Sequence, residues 1–308
     1  MAASRAADWL RLTRLPLAPT TACDVVACAL LARAPGFLTR GGAEALSAAD
    51  ALLLAATSVL VYVAGMTAND WFDRERDRTI HPERPIPAGR VHERAAFVLV
   101  FLSGAGAVAL GGGPAGSRGL VAGALALALA YDGVAKRRLG TGCLAMGGVR
   151  ACNAATGALP LVLVGATSPW ALAAPLLLGL YSAGITAHST SEDRPQPYAR
   201  RLLFARAAAL VAFLGAGVLS VAGSEGTTAG AFFAPAVCLS IFFGRVPRRG
   251  PVKGQVLELL LGLYWLDAIL ATGGFPGSRW PEALGAFVLA YALILGSQLA
   301  IRALRPRA

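Results

Sequence analysis

Charge is what this sequence has least of. Asp, Glu, Lys and Arg make up 15% of its 308 residues against 56% hydrophobic residues, and a chain that poor in charge cannot clothe an ordinary soluble domain. Its solvent is therefore lipid. Acidic residues are scarcer still, 17 against 28 Lys and Arg, giving a net charge of +11. That excess could be mistaken for a nucleic-acid footprint, but the basic residues fall at alternate loops instead of forming one patch, and no nucleic-acid partner is expected. The five cysteines, Cys23, Cys28, Cys143, Cys152 and Cys238, lie within or at the ends of apolar runs and show no CxxC or His-paired spacing. They are expected to pack as small apolar side chains. Neither an internal repeat nor a linker is legible, and no short apolar core followed by a small-residue cleavage site marks a removable leader.

What is present is a succession of long apolar runs, at roughly 16–33, 48–66, 93–112, 117–134, 143–165, 169–187, 203–223, 228–244, 255–272 and 281–303. Each is about long enough to cross a ~30 Å hydrocarbon core at 1.5 Å per residue. The runs are continuous, not alternating, and a backbone in lipid must satisfy itself, so the spans are read as helices. The expectation is an all-α, polytopic transmembrane bundle of nine to ten spans forming one integral membrane domain, residues 1–308, with residues 1–15 as an interfacial amphipathic segment. Of the Lys and Arg residues, 22 fall on one side of this arrangement and 4 on the other. The positive-inside rule then puts that side, and both termini, in the cytoplasm of a multi-pass cell-membrane protein.

Where the second run ends, the chain reads Asn69-Asp70-Trp71-Phe72-Asp73-Arg74-Glu75-Arg76-Asp77. On a continuing helix Asn69, Asp73 and Asp77 recur at i, i+4 and i+8 and project from one face. Such acids repel unless a cation lies between them. Hard cations such as Mg2+ take oxygen ligands, one or two from carboxylates and others from a substrate phosphate, so the ladder points to a metal-bridged diphosphate. The interleaved Arg74, Arg76 and Arg78 also permit a plain solvated cap.

The run continues through Arg84-Pro85-Ile86-Pro87-Ala88-Gly89. An NDxxDxxxD segment followed closely by an RPxPxG turn resembles the UbiA family of intramembrane prenyltransferases. Tyr131 to Arg137 is similar to that family's Tyr-x-x-x-x-Lys-Arg segment. A positive-inside loop is the other reading of that stretch. The resemblance implies Mg2+-dependent transfer of an isoprenyl group from its diphosphate to an aromatic or other lipophilic acceptor, the two substrates being the partners, with no obligate protein partner. It implies Asn69, Asp70, Asp73 and Asp77 as metal ligands, Asp73, Asp77 and Lys136 as the catalytic set, and Arg84 and Arg137 as diphosphate ligands.

In the fifth run Arg150 and Asn153 share a face. A buried arginine in lipid must be paired or face a cavity, so these two are candidates for substrate contact, with a structural pair to Asp132 or Asp24 as the other reading. After the sixth run a family member carries a second acidic motif. Here Glu192 and Asp193 remain as candidate metal ligands, and His188 or Ser189 occupies the place of the leading Asp. His188 is grouped with the substrate-binding residues. That reduced motif keeps two alternatives open: a noncatalytic lipid-binding or transport protein on the same fold, or a transferase using a different phosphorylated donor.

Overall fold

A computed structural model of the chain describes residues 3–39, 42, 44–111, 117–192, 199–224, 251–273 and 280–304. Its helices, in chain order, are α1 (Ala3–Leu12), α2 (Pro19–Leu31), α3 (Ala48–Phe72), α4 (Arg74–Ile80), α5 (Glu93–Leu110) and α6 (Arg118–Gly133). There follow α7 (Leu139–Ala155), α8 (Leu159–Leu163), α9 (Ala173–Ser189), α10 (Ala199–Gly223), α11 (Val252–Gly273) and α12 (Trp280–Ala303).

Local chemistry sets several of the boundaries. Pro19 opens α2, where its missing N–H would have had no helical partner. The Ser47 hydroxyl accepts the Asp50 N–H at 3.0 Å to cap α3, and His92 Nδ1 accepts the Arg94 N–H at 3.1 Å to cap α5. Between the stretches Arg5–Leu12 and Leu15–Leu31 the chain bends by 50°. Arg14 absorbs the bend with a left-handed backbone, φ 48°, and Pro16 follows in a short 3-10 turn.

Packing closes a ring. α2 lies against α3, α3 against α6, α6 against α7, α7 against α9, α9 against α10, α10 against α11, and α11 returns to α2. α5 packs outside α3, and α12 outside α11. The densest core surrounds α11, where Leu259, Leu263, Leu266 and Leu270 are fully buried beside Tyr181 and Phe213. The Tyr181 hydroxyl donates to the Leu259 carbonyl at 2.6 Å, which satisfies a polar atom that lipid and core cannot. Where α7 crosses α9, a Cβ on Gly147 would come within 2.8 Å of the Gly179 carbonyl, so the two backbones meet through glycines. Outward faces remain apolar, as on α5 (Phe97, Phe101, Leu102) and α10 (Leu203, Leu214, Val218). In a multi-pass membrane protein that surface contacts lipid.

Six described helices are long and apolar enough to cross a bilayer, seven if the bent N-terminal pair is one span. The nine to ten spans expected are not reached among the described residues, for three reasons. α6 and α7, with 16 and 17 residues, are short for a full span. The run 143–165 is broken after Ala155, and the run 228–244 lies outside the described residues.

Candidate active site

The acidic ladder survives folding as a ladder. α3 ends at Phe72, but Asp73 keeps a near-helical backbone (φ −85°, ψ −2°) before α4 resumes. The Asp73 N–H still donates to the Asn69 carbonyl at 3.0 Å and the Asp77 N–H to the Asp73 carbonyl at 2.8 Å. Asn69, Asp73 and Asp77 therefore stay one turn apart on one side of an almost unbroken helix.

Cations from three other segments close on that face. Lys136, in the turn after α6, places Nζ 2.8 Å from Asp73 Oδ2 and 3.5 Å from Asp132 Oδ1. Asp132 in turn accepts from Asn69 Nδ2 at 2.6 Å. Arg84 reaches Asp77 at 2.6 Å and Asp70 at 3.5 Å. It is presented by a turn that bonds to itself: Ala88 N–H donates to the Arg84 carbonyl at 3.0 Å, and Arg90 and Val91 N–H both donate to the Pro85 carbonyl at 3.0 Å. Gly89 has φ +70° there, a conformation glycine takes without steric cost. Arg14, at the N-terminal bend, lies 3.3 Å from Asp70, and Glu192 is within electrostatic reach of the same guanidinium.

Four carboxylates, those of Asp70, Asp73, Asp77 and Asp132, thus share three cations, Arg14, Arg84 and Lys136. Asp70, Asp77 and Asp132 are buried, where unbalanced charge is costly. Among the described residues no His, Cys, Asp or Glu side chains already converge as a three-ligand metal cluster. The donors are nonetheless all hard oxygens and one charge in excess, a set that suits Mg2+ completed by phosphate oxygens. The same cations suit the phosphates themselves.

Residues 25–246 match the model of the UbiA prenyltransferase family. The chain belongs to that family. Over 56 residues it is 41% identical to digeranylgeranylglyceryl phosphate synthase of Methanothrix thermoacetophila, a stretch covering 17% of this chain and 21% of the relative. The matched stretch is thus about a fifth of that relative's length. Among solved structures, the apo form of a UbiA homologue from Aeropyrum pernix K1 superposes with TM-score 0.59 at 24% identity, covering 85% of this chain and 97% of the other. A UbiA homologue from Archaeoglobus fulgidus bound to DMAPP and Mg2+ superposes with TM-score 0.53 at 12% identity, covering 96% and 99%. At these identities the likeness is one of fold.

The structure of this UbiA-family chain sorts the site residues expected from sequence. Asn69, Asp70, Asp73, Asp77, Arg84 and Lys136 come together. Arg137 is exposed beside them. Arg150 is held elsewhere: Nε is 2.6 Å from Asp24 Oδ2, and the same side chain donates to the Thr20 carbonyl at 3.2 Å. Asn153 donates to Ser58 Oγ at 2.8 Å, and Ser58 to the Thr21 carbonyl at 2.8 Å. Ser58 precedes Asn69 by three turns of α3, about 16 Å along the axis, so this pair ties α2, α3 and α7 together well away from the ladder. His188 is buried against Gln255, Nε2 to Oε1 2.8 Å. Glu192 is exposed in the turn after α9, and Asp193 lies outside the described residues. A cavity of about 650 Å³, walled by Leu53, Leu54, Leu120 and Leu161, opens at the opposite end of α3 from the ladder and belongs to a different part of the molecule.

Two site members, Asp132 and Arg14, stand outside the site residues expected from sequence. Asp132 carried a signal, an acid one residue after Tyr131 and four before Lys136. Arg14 carried almost none, because its partner is 56 residues away.

Proposed function

We propose that the protein transfers an isoprenyl group from an isoprenyl diphosphate to a lipophilic acceptor, with Mg2+ bound by Asn69, Asp70, Asp73 and Asp77. The observation that carries this reading is the cluster of four carboxylates and three cations at the end of an apolar bundle. Bound Mg2+ would offset the negative charge that gathers on the departing diphosphate. Arg14, Arg84 and Lys136 act on the same charge: they turn from the carboxylates to the phosphate oxygens and hold the leaving group as its bond to the isoprenyl C1 breaks. The bond's electron pair leaves with the diphosphate, the acceptor supplies the pair that forms the new bond to C1, and the acceptor's proton is released. Asp73 and Asp77 act by holding this cluster, and the surrounding apolar helices keep water from the allylic centre. In this reading Arg137 meets phosphate from the rim, and Glu192, within electrostatic reach of Arg14, acts with its sequence neighbour Asp193 as the reduced second acidic motif.

Further support comes from the bound DMAPP and Mg2+ of the Archaeoglobus fulgidus homologue and from the digeranylgeranylglyceryl phosphate synthase name of the partial relative. The site lies on the face expected to be cytoplasmic. The test is diphosphate release by purified protein over a panel of isoprenyl diphosphates and lipophilic alcohols and aromatics, with and without Mg2+. Metal-dependent release with at least one pair is expected. Metal-dependent binding with no release from any pair would favour the noncatalytic lipid-binding reading, for which the reduced second motif is the motivating feature.

A further inference from the structure

We infer that Asp8, on the N-terminal helix α1, is a positioning residue for the diphosphate site. The inference rests on the proposed donor binding and concerns a residue outside every motif that marks the site.

Asp8 lies on a short helix at the edge of the bundle, yet it is only 2% exposed. Its Oδ1 accepts from Arg11 at 2.9 Å and from Arg90 at 3.0 Å, 82 residues along the chain. Arg90 makes that contact through Nε and uses Nη2 to donate to the Glu83 carbonyl at 2.6 Å. Glu83 is the residue before Arg84, whose guanidinium spans Asp77 and Asp70. A continuous chain of charge-assisted contacts therefore runs from α1 through Arg90 and the turn to the ladder. A small apolar core seals it, with Leu12, Val91 and Ala96 buried and Trp9, Trp71 and Ile86 packed around them. Arg11 ties the same anchor to the C-terminal end of α12 by donating from Nε to the Leu304 carbonyl at 2.7 Å.

The physical logic follows from burial. A carboxylate removed from water is tolerated when ion pairs and hydrogen bonds replace its hydration, and Asp8 receives both from two arginines. Arg90 would otherwise be a half-exposed side chain free to swing. Fixed between Asp8 and the Glu83 carbonyl, it sets where the turn places Arg84, and a displacement of about 1 Å at a positioned charge can cost a large factor in what that charge does. Asp8 touches no proposed substrate atom; it acts through Arg90 and Arg84.

The experiment is a double-mutant cycle read as Mg2+-dependent binding of geranyl diphosphate to the purified full-length protein by calorimetry. Asp8→Ala is expected to weaken binding by about fivefold or more, and to have little further effect once Arg84→Ala is present, because coupled residues are not additive. Arg90→Ala, which leaves Arg11 on the buried Asp8 carboxylate, should reproduce the loss in protein of near-native Tm, and Asp8→Glu should restore most of the loss seen in Asp8→Ala. Native affinity in both Asp8→Ala and Arg90→Ala, or an equal loss in the Arg84→Ala background, would overturn the positioning role while leaving the donor reading intact. If the native protein binds no geranyl diphosphate in the presence of Mg2+, the donor reading itself falls, and the inference with it.

Discussion

Arg14 holds a backbone conformation, φ 48°, that non-glycine residues seldom adopt and that tight surroundings must enforce. Its carbonyl accepts the Tyr62 hydroxyl at 3.2 Å, and its guanidinium lies 3.3 Å from Asp70. The strain is thus fixed from both ends and aims a planar fork at the acidic cluster. A charge-assisted contact of this kind contributes about 1.5–3 kcal/mol. Arg14→Ala should accordingly raise the Kd for an isoprenyl diphosphate by about tenfold or more. Arg14→Lys should recover only part, since an ammonium lacks the fork; full recovery in a titration would show that charge alone matters there. At this scale the ladder was legible because a helix writes its facing residues at fixed spacing, so Asn69, Asp73 and Asp77 could be placed before any contact was known. Arg14 was not, because nothing local in Thr13-Arg14-Leu15 announces a partner on another helix. Arg150 and Asn153 show a different limit. Their shared face left two readings, substrate contact or a structural pair with Asp132 or Asp24, and only tertiary packing separates them: Arg150 meets Asp24 and Asn153 meets Ser58.

The elements matter through how closely they approach. α7 and α9 cross at Gly147 and Gly179, and a Cβ on Gly179 would come within 2.8 Å of the Gly147 carbonyl and 3.0 Å of the Ala151 side chain. α7 begins just after Lys136, so this crossing also supports the ladder's main cation. Gly179→Leu should destabilise the protein by about 1–3 kcal/mol through overpacking, measured as a fall in Tm of the detergent-purified protein; an unchanged Tm would mean that the helices separate without cost. The same crowding explains a boundary that hydropathy did not show. The stretch 143–165 is apolar enough, despite Arg150 and Asn153, to read as one span, yet the helix stops at Ala155 and resumes only at Leu159. Gly157, in that break, lies so close to the Val25 carbonyl and Ala29 of α2 that no side chain fits. Hydropathy reports that residues avoid water, and it is silent on where two backbones must touch. Asp73 is the converse case, since its ψ of −2° departs from the helix while the backbone hydrogen bonds continue.

At the scale of the whole molecule, the ring from α2 to α11 concentrates its charged cluster at one end and shows aliphatic and aromatic side chains to lipid elsewhere. Charge counting along the chain predicts that this end faces the cytoplasm. Cysteines introduced at the exposed positions Ile80 and Arg137 should react with an impermeant reagent from one side of sealed vesicles, and one at the exposed Arg118 from the other. Labelling of positions 80 and 137 from opposite sides would end the single-site account. The helical class and the site's end of the bundle were readable from composition and spacing because lipid imposes a single rule on every span. The ring order was not readable, because any apolar helix can neighbour any other in lipid.

In the proposed function the four-carboxylate cluster works on a metal-bound diphosphate. The most direct measurement is Mg2+-dependent diphosphate release by native protein and by Asp73→Asn, which removes one charge while keeping size and leaves Lys136 without its 2.8 Å partner. Chelating Mg2+ should abolish release by the native protein, and Asp73→Asn, folded with a near-native Tm, should lose about a hundredfold or more, the scale of removing one electrostatic contribution at a site of developing charge. A folded Asp73→Asn protein with near-native, metal-dependent turnover would contradict the proposed function and reduce the ladder to a solvated cap on the end of a membrane helix.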